Sequence, residues 1–140
     1  MSKDLYIQRL RAVPLFSTLS KRELDLIVRQ TDSLRYPARY RVVREGTPGE
    51  EFWMVIDGEL AVTRGGVEVA TLGPGDYFGE ISLIDGKPRS ATIRPEGKLR
   101  TLSLTAWKFQ PLLEKHPTLN HQLLLGLCAH VREAEARAAG

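Results

Sequence analysis

Phe78-Gly79-Glu80-Ile81-Ser82-Leu83-Ile84-Asp85-Gly86-Lys87-Pro88-Arg89-Ser90-Ala91-Thr92 is the stretch around which the rest of the chain can be read. Gly79 has no Cβ, so its backbone can approach a ligand closely. Glu80 to Leu83 suit one short helical turn, and the free N–H groups that open such a turn receive a phosphate. Arg89 carries a planar fork of donors matched to two phosphate oxygens. Ser90 adds a hydroxyl and Ala91 a backbone amide. Glu80 repels a phosphate, but a carboxylate accepts a hydrogen bond from a sugar hydroxyl, as acidic residues do at dinucleotide sites. A phosphate and a ribose on one ligand make a nucleotide. The plainer alternatives are a surface arginine at Arg89 and, at Glu80, a helix charge favoured by the dipole alone.

Outward from this stretch the texture is β. Ten of the twelve glycines lie between Gly46 and Gly97, punctuating short β-rich runs. The runs are Tyr40 to Val43, Phe52 to Ile56, Glu59 to Thr63, Val67 to Leu72, Ser90 to Arg94 and Leu99 to Leu104. Turn signals recur at the spacing of a sandwich or barrel, with Gly65-Gly66 suggesting a hairpin and Asp57-Gly58 and Pro74-Gly75-Asp76 further turns. An eight-stranded jelly roll would manage its strand edges by packing two sheets together.

Helical patterns flank this region. Residues 3 to 12 predict a first helix, ended by Pro14. Ser20-Lys21-Arg22-Glu23 is a capping box, and it opens a run that places Leu24, Ile27 and Val28 on one face. After Leu104, Thr105 can cap a helix carrying Trp107, Phe109, Leu112 and Leu113. His116-Pro117 breaks it, and Thr118 can cap a last helix. There Leu123, Leu127, Val131 and Ala134 or Ala138 form a near-heptad stripe, which could dock on the chain's own barrel or pair with a second copy. Trp53 and Trp107 are expected to be core aromatics. Cys128, the single cysteine, is expected to be a buried small hydrophobe.

Composition bounds the function classes. The 140 residues suit a single domain of ordinary globular make-up, 42% apolar and 26% charged. No apolar run approaches the roughly 20 residues of a membrane-spanning helix, and the N-terminus lacks a signal-peptide core. One cysteine allows no intrachain disulfide, which fits a cytoplasmic chain. The net charge of +3 is spread along the sequence, so a solvated basic face is favoured over direct nucleic-acid binding. His116, His121 and His130 all lie in the C-terminal part. With no histidine or cysteine in the β region, a metal site there is not expected, and a cupin-like jelly-roll enzyme is disfavoured.

The central stretch resembles the phosphate-binding cassette of the cyclic nucleotide-binding domain family, found in catabolite activator proteins, protein kinase A regulatory subunits and gated channels. The family pattern F-G-E-[LI]-[AS]-L, five residues, then R-[AST]-A is matched at every position, and the resemblance extends over roughly residues 10 to 135. It implies a mainly β fold, the eight-stranded double-sheet roll, in one domain over residues 1–140. N-terminal helices would occupy residues 1–33, the roll 34–104 with its cassette at 78–92, and two C-terminal hinge and lid helices 105–140. It further implies a non-catalytic regulatory module with cAMP or cGMP as its ligand and no catalytic cofactor.

By the same resemblance, Gly79, Ile81, Ser82, Arg89, Ser90 and Ala91 hold the phosphate and Glu80 the ribose 2′-hydroxyl. Val62, Val69 and Leu72 lie beside the base, where they would serve equally as barrel core. Arg132 is the candidate lid over the purine, with Arg137 and His130 as alternatives. Members selective for cGMP often carry Thr where this chain has Ser90; serine suits either base, and the reading leans to cAMP. Ligand binding would draw the cassette inward with Leu83 or Ile84 and repack the last two helices about Pro117, signalling to an unknown effector protein. A pseudo-domain that binds partners instead of nucleotide stays open, although Glu80 and Arg89 speak against it. So does a DNA-binding regulator, which would need an output domain from elsewhere, because no helix-turn-helix follows the last helix.

Overall fold

Strand β2 (Glu51–Asp57) shows how the chain is organised. Its side chains alternate between two buried environments, as the period of two in a strand requires. Phe52, Met54 and Ile56 point into a core shared with the helices, and Trp53 and Val55 into a second core inside the roll. A strand buried on both faces sits in the middle of its layer, and β2 does. The computed structural model describes residues 2–139, so Met1 and Gly140, the ends of the expected single domain, lie outside the described residues.

Two antiparallel sheets form the roll. One has the order β1 (Asp32–Tyr36), β7 (Leu99–Thr105), β2 and β5 (Tyr77–Phe78). The other has the order β4 (Val67–Leu72), β3 (Leu60–Arg64) and β6 (Thr92–Pro95). Gly65-Gly66 joins β3 to β4 with positive φ at both residues, the conformation a tight hairpin turn needs.

The described residues thus hold seven strands, and the expected run Tyr40 to Val43 is reduced to a bridge between Val43 and Ile93. The cause is local: Arg39, whose amide donates to the Pro95 carbonyl on β6, takes φ 66° in a turn that starts at Pro37, and the chain meets β6 again at Val42 and Val43. Strand pairing begins earlier than expected, at Asp32, where β1 lies along β7.

Helices α1 (Lys3–Arg11) and α2 (Lys21–Gln30) cover the outer face of the first sheet. The capping box at α2 forms as the sequence predicts: Ser20 Oγ accepts from the Glu23 amide, and Glu23 Oε1 accepts from the Ser20 amide. Between them, a 3-10 turn at Pro14–Phe16 buries Leu15 and Phe16.

Helices α4 (Ala106–Lys115) and α5 (Pro117–Ala139) close the chain. Helix α5 starts at Pro117 and not after Thr118, because proline suits the first helical position, where no N–H partner is needed. Thr105 precedes α4 but makes no side-chain cap, and its hydroxyl is buried without a partner. Helix α4 turns Phe109 and Leu112 inward, which sends Trp107 to the opposite side; it is 71% exposed, whereas Trp53 is buried. Helix α5 is anchored by Leu119 and Leu123, while Leu124, Leu125 and Val131 on it are exposed. Cys128 is exposed too, so it is not the buried hydrophobe that its apolar neighbours suggest.

Candidate functional site

The cassette is folded by its two terminal glycines. Helix α3 (Glu80–Asp85) is preceded by Gly79 at φ 96° and followed by Gly86 at φ 71°, both in the left-handed region that favours glycine. Gly79 is also pressed against β2, where a Cβ would lie 2.7 Å from the Glu51 carbonyl oxygen. A side chain at this position is therefore excluded twice, by conformation and by space.

Arg89 is buried beneath this turn, at 7% exposure. Its Nη1 donates to the Gly79 carbonyl and its Nη2 to the Glu51 carbonyl, each at 2.8 Å. The guanidinium also lies 5.3 Å from the Trp53 ring centroid, a cation–π contact, and Trp53 stacks in turn on Phe78. The backbone around Arg89 is tied to the loop before β2, with its amide donating to the Thr47 carbonyl and its carbonyl accepting from the Gly46 amide. An arginine has five N–H donors, so three are left after the two carbonyls are served. Burial lowers the Arg89 pKa, opposed by the Glu51 and Glu80 carboxylates.

Glu80 is still more buried, at 4% exposure, and its Oε2 has no hydrogen-bond partner. Burial pushes its carboxyl pKa up; its own backbone amide and the positive charges of His130 and Arg89 pull the other way. An unpaired carboxylate in such a place is costly unless another group satisfies it. Tyr77 beside it has its hydroxyl pushed up to about 12, first by burial and then by the Glu80 charge.

These groups open onto one cavity of about 510 Å³, within the range of small-ligand sites. Gly79, Glu80, Ile81, Ser82, Arg89, Ser90 and Ala91 all line it, as do Val62, Val69 and Leu72. Arg132 does not, whereas Arg137 and His130 do. The cavity also takes residues that the sequence reading passed over, notably Arg64 on β3 and Glu133 on α5. Arg64 shares a strand face with Val62, two residues away, and its Nε donates to the Ser90 carbonyl at 3.1 Å. That spacing was readable. Gly49 was not: a Cβ there would lie 2.4 Å from Ser82 Cβ and 2.9 Å from Arg89 Cζ.

The cassette is joined to the C-terminal helices through Leu83. Its side chain is buried in the core that holds Phe109 and Leu112 of α4 and Leu119 and Leu123 of α5, and its carbonyl accepts from Gln110 Nε2 at 3.1 Å. At the joint between those helices, His116 Nδ1 lies 2.8 Å from Glu23 Oε2. Among the described residues no cluster of three or more His, Cys, Asp or Glu side chains could hold a metal ion, and no helix is long and apolar enough to cross a membrane.

The family profile described as Cyclic nucleotide-binding domain matches residues 33–116, which is more than half of the chain and includes the whole cassette. The chain belongs to the cyclic nucleotide-binding domain family. It is similar to the cAMP-dependent protein kinase regulatory subunit of Emericella nidulans, with 36% identity over 113 residues, 79% of this chain and 27% of that protein. Against a cyclic nucleotide-gated potassium channel of Mesorhizobium japonicum the identity is 40%, over 80% of this chain and 31% of the channel. The chain therefore spans about a third or less of these curated relatives.

Among solved structures, the catabolite activator protein of Thermus thermophilus superposes with a TM-score of 0.82 at 31% identity, over 90% of this chain and 62% of that one. The regulatory domain of Toxoplasma gondii protein kinase A with cAMP gives 0.72 at 30% identity, over 79% of this chain and 44% of that one. As a member of this family the chain is a cyclic nucleotide-binding regulatory domain built on the double-sheet roll.

Proposed function

We propose that the protein is a non-catalytic module that binds cAMP in the cavity above the cassette and turns binding into movement of α4 and α5. One observation carries this reading: a buried arginine with spare donors and a buried glutamate with an unpartnered oxygen line the same cavity. A cyclic phosphate bears one negative charge, which Arg89 matches. The amides of Gly79, Ile81, Ser82 and Ala91, with the Ser90 hydroxyl, complete the phosphate cradle. Glu80 Oε2 receives the ribose 2′-hydroxyl, which gives the orphaned oxygen its donor. Val62, Val69 and Leu72 flank the base. Arg137 and His130 replace Arg132 as lid candidates, because they reach the cavity and Arg132 does not.

The preference for cAMP over cGMP rests on Ser90 in place of threonine, and on relatives and neighbours whose names carry cAMP. Output passes through Leu83, whose packing against α4 and α5 makes any inward shift of the cassette felt at the joint at Pro117. The receiver is an effector protein contacted through these helices. The exposed Leu124 and Val131 on α5 also suit pairing with a second copy of the chain. The lone cysteine agrees with a cytoplasmic location.

The test is a cycle between ligand and residue. cAMP and 2′-deoxy-cAMP are titrated into the wild-type chain and into Glu80→Gln. Loss of the ribose hydroxyl is expected to weaken wild-type binding by about tenfold, the value of a hydrogen bond to a charged group, and to change the variant little. Equal losses in both chains would remove Glu80 from the ribose.

A further inference from the structure

The far arm of the cassette, residues 89–92, is held from outside by two neighbouring segments. From the loop before β2, the Gly46 amide donates to the Arg89 carbonyl at 2.8 Å, and the Glu45 amide to Thr92 Oγ1 at 3.0 Å. From the end of β3, Thr63 Oγ1 donates to the Thr92 carbonyl at 3.4 Å, and Arg64 Nε to the Ser90 carbonyl at 3.1 Å. The two segments are tied to each other, because Glu45 Oε1 accepts from the Gly65 amide at 3.0 Å. Arg64 brings this frame to the cavity, which its side chain lines beside Ser90 and Ala91.

The Ser90 carbonyl and the Ala91 amide are the two ends of one planar trans peptide unit. A donor that fixes the carbonyl therefore fixes the N–H, which points the opposite way. It also polarises the unit and makes its N–H a stronger donor. Ala91 is buried at 7% exposure, and among the described residues no acceptor meets its amide. A backbone donor in such a place is costly until a partner arrives.

We infer that Arg64 is a positioning residue for the phosphate cradle: by holding the Ser90 carbonyl it aims the Ala91 amide at the ligand's phosphate. This rests on the nucleotide reading above and extends its phosphate site to β3.

The bond leaves from Nε, and that atom allows donor and charge to be separated. Glutamine carries Nε2 the same number of bonds from the backbone, as a neutral donor. Lysine keeps the charge a bond further out and has a methylene where the donor is needed. Arg64→Gln therefore keeps what the inference requires, and Arg64→Lys keeps what a direct ion pair with the phosphate would require.

The first test uses the ligand-free chain. The Ser90 carbonyl-carbon and Ala91 amide resonances are compared by NMR in wild type, Arg64→Gln, Arg64→Lys and Arg64→Ala. Both are expected to move in the lysine and alanine variants and to stay near the wild-type position in Arg64→Gln. Resonances unchanged in Arg64→Ala overturn the inference whether or not nucleotide binds. The second test is cAMP affinity by calorimetry. Arg64→Ala and Arg64→Lys are expected to bind about fivefold more weakly, the value of one hydrogen bond, and Arg64→Gln within about twofold of wild type. Binding by Arg64→Gln no better than by Arg64→Ala overturns the inference, and wild-type affinity in Arg64→Lys would give Arg64 a direct charge role instead. Failure of the wild-type chain to bind cAMP, with the resonances displaced as expected, would overturn the nucleotide reading and the role in the cradle, while the hold of Arg64 on the peptide would stand.

Discussion

Arg89 donates from Nη1 to the carbonyl of Gly79 at 2.8 Å, so the side chain that would hold the phosphate also holds the turn that presents the amides. Its second donor bond, to Glu51, ties the same group to β2. Binding and folding are therefore linked at this residue. Arg89→Ala leaves two carbonyls without their donors and is expected to lower stability by about 2 kcal/mol in urea unfolding. Arg89→Lys keeps the charge but loses the fork. It should recover part of the stability while cAMP affinity stays down by about tenfold to a hundredfold. Equal recovery of both would mean that the fork has no role at the phosphate.

Glu80 makes the opposite trade. Its carboxyl pKa is raised on folding, so between the ordinary carboxylate pKa and the raised one the folded state holds more protons than the unfolded. Stability then falls as pH rises through this window, and the buried charge is a standing cost above it. Glu80→Gln is expected to be more stable than wild type in the ligand-free state at pH 7, to lose that advantage in acid, and to bind cAMP more weakly. Thermal unfolding at pH 4 and pH 7 checks the sign; a variant less stable at pH 7 would show that the carboxylate is satisfied within the protein.

Glu23 has the reverse sign. Its pKa is lowered, first by the Ser20 amide and then by the Ser20 hydroxyl, with His116 contributing less. Its contribution is present above the unfolded carboxylate pKa and is lost as pH falls through the folded value. Because Glu23 also meets His116 between α4 and α5, Glu23→Gln should loosen that joint. Hydrogen exchange should rise at residues 115–118 and leave β2 unchanged; uniform protection in wild type and variant would remove this contact from the account.

Gly49→Ala is expected to reduce both affinity and stability although the residue lies far from the cassette in sequence. A Cβ would meet Ser82 and the Arg89 guanidinium, and forcing an extra carbon into a packed site costs about 1–3 kcal/mol. Urea unfolding together with a cAMP titration checks it. A neutral result would show that the loop before β2 moves freely.

The contrast between Gly49 and Gly79 shows what could be read in advance. Gly79 belongs to a contiguous motif, so the cassette was legible as a string, and β2 was legible as the β-rich run Phe52 to Ile56. Gly49 and the Glu51 carbonyl reach Arg89 from about 40 residues away, and no local pattern announces such a contact. The run Tyr40 to Val43 has strand composition, but the turn at Arg39 decides that only Val43 pairs. On α5, periodicity groups His130 with Glu133 and Arg137, but the face that meets the cavity is set by the contact of Gly126 with Tyr77. That is why the sequence alone puts Arg132 ahead of Arg137 as the lid, although of the two only Arg137 lines the cavity.

Leu83 tests the proposed route of output. Leu83→Ala is expected to cost about 2–5 kcal/mol, the usual range for removing a buried leucine. In a chain still folded at low temperature, cAMP should bind without conferring added hydrogen-exchange protection on α5. Protection as in wild type would place the coupling elsewhere.

The central claim is that Arg89 and Glu80 form a cyclic nucleotide site, and titration calorimetry of the purified, nucleotide-free chain with cAMP and then cGMP addresses it most directly. One site per chain, tighter for cAMP, and strongly weakened in a folded Arg89→Lys variant is the predicted result. Absence of heat with either nucleotide in a chain shown to be folded, or binding indifferent to Arg89, would contradict it.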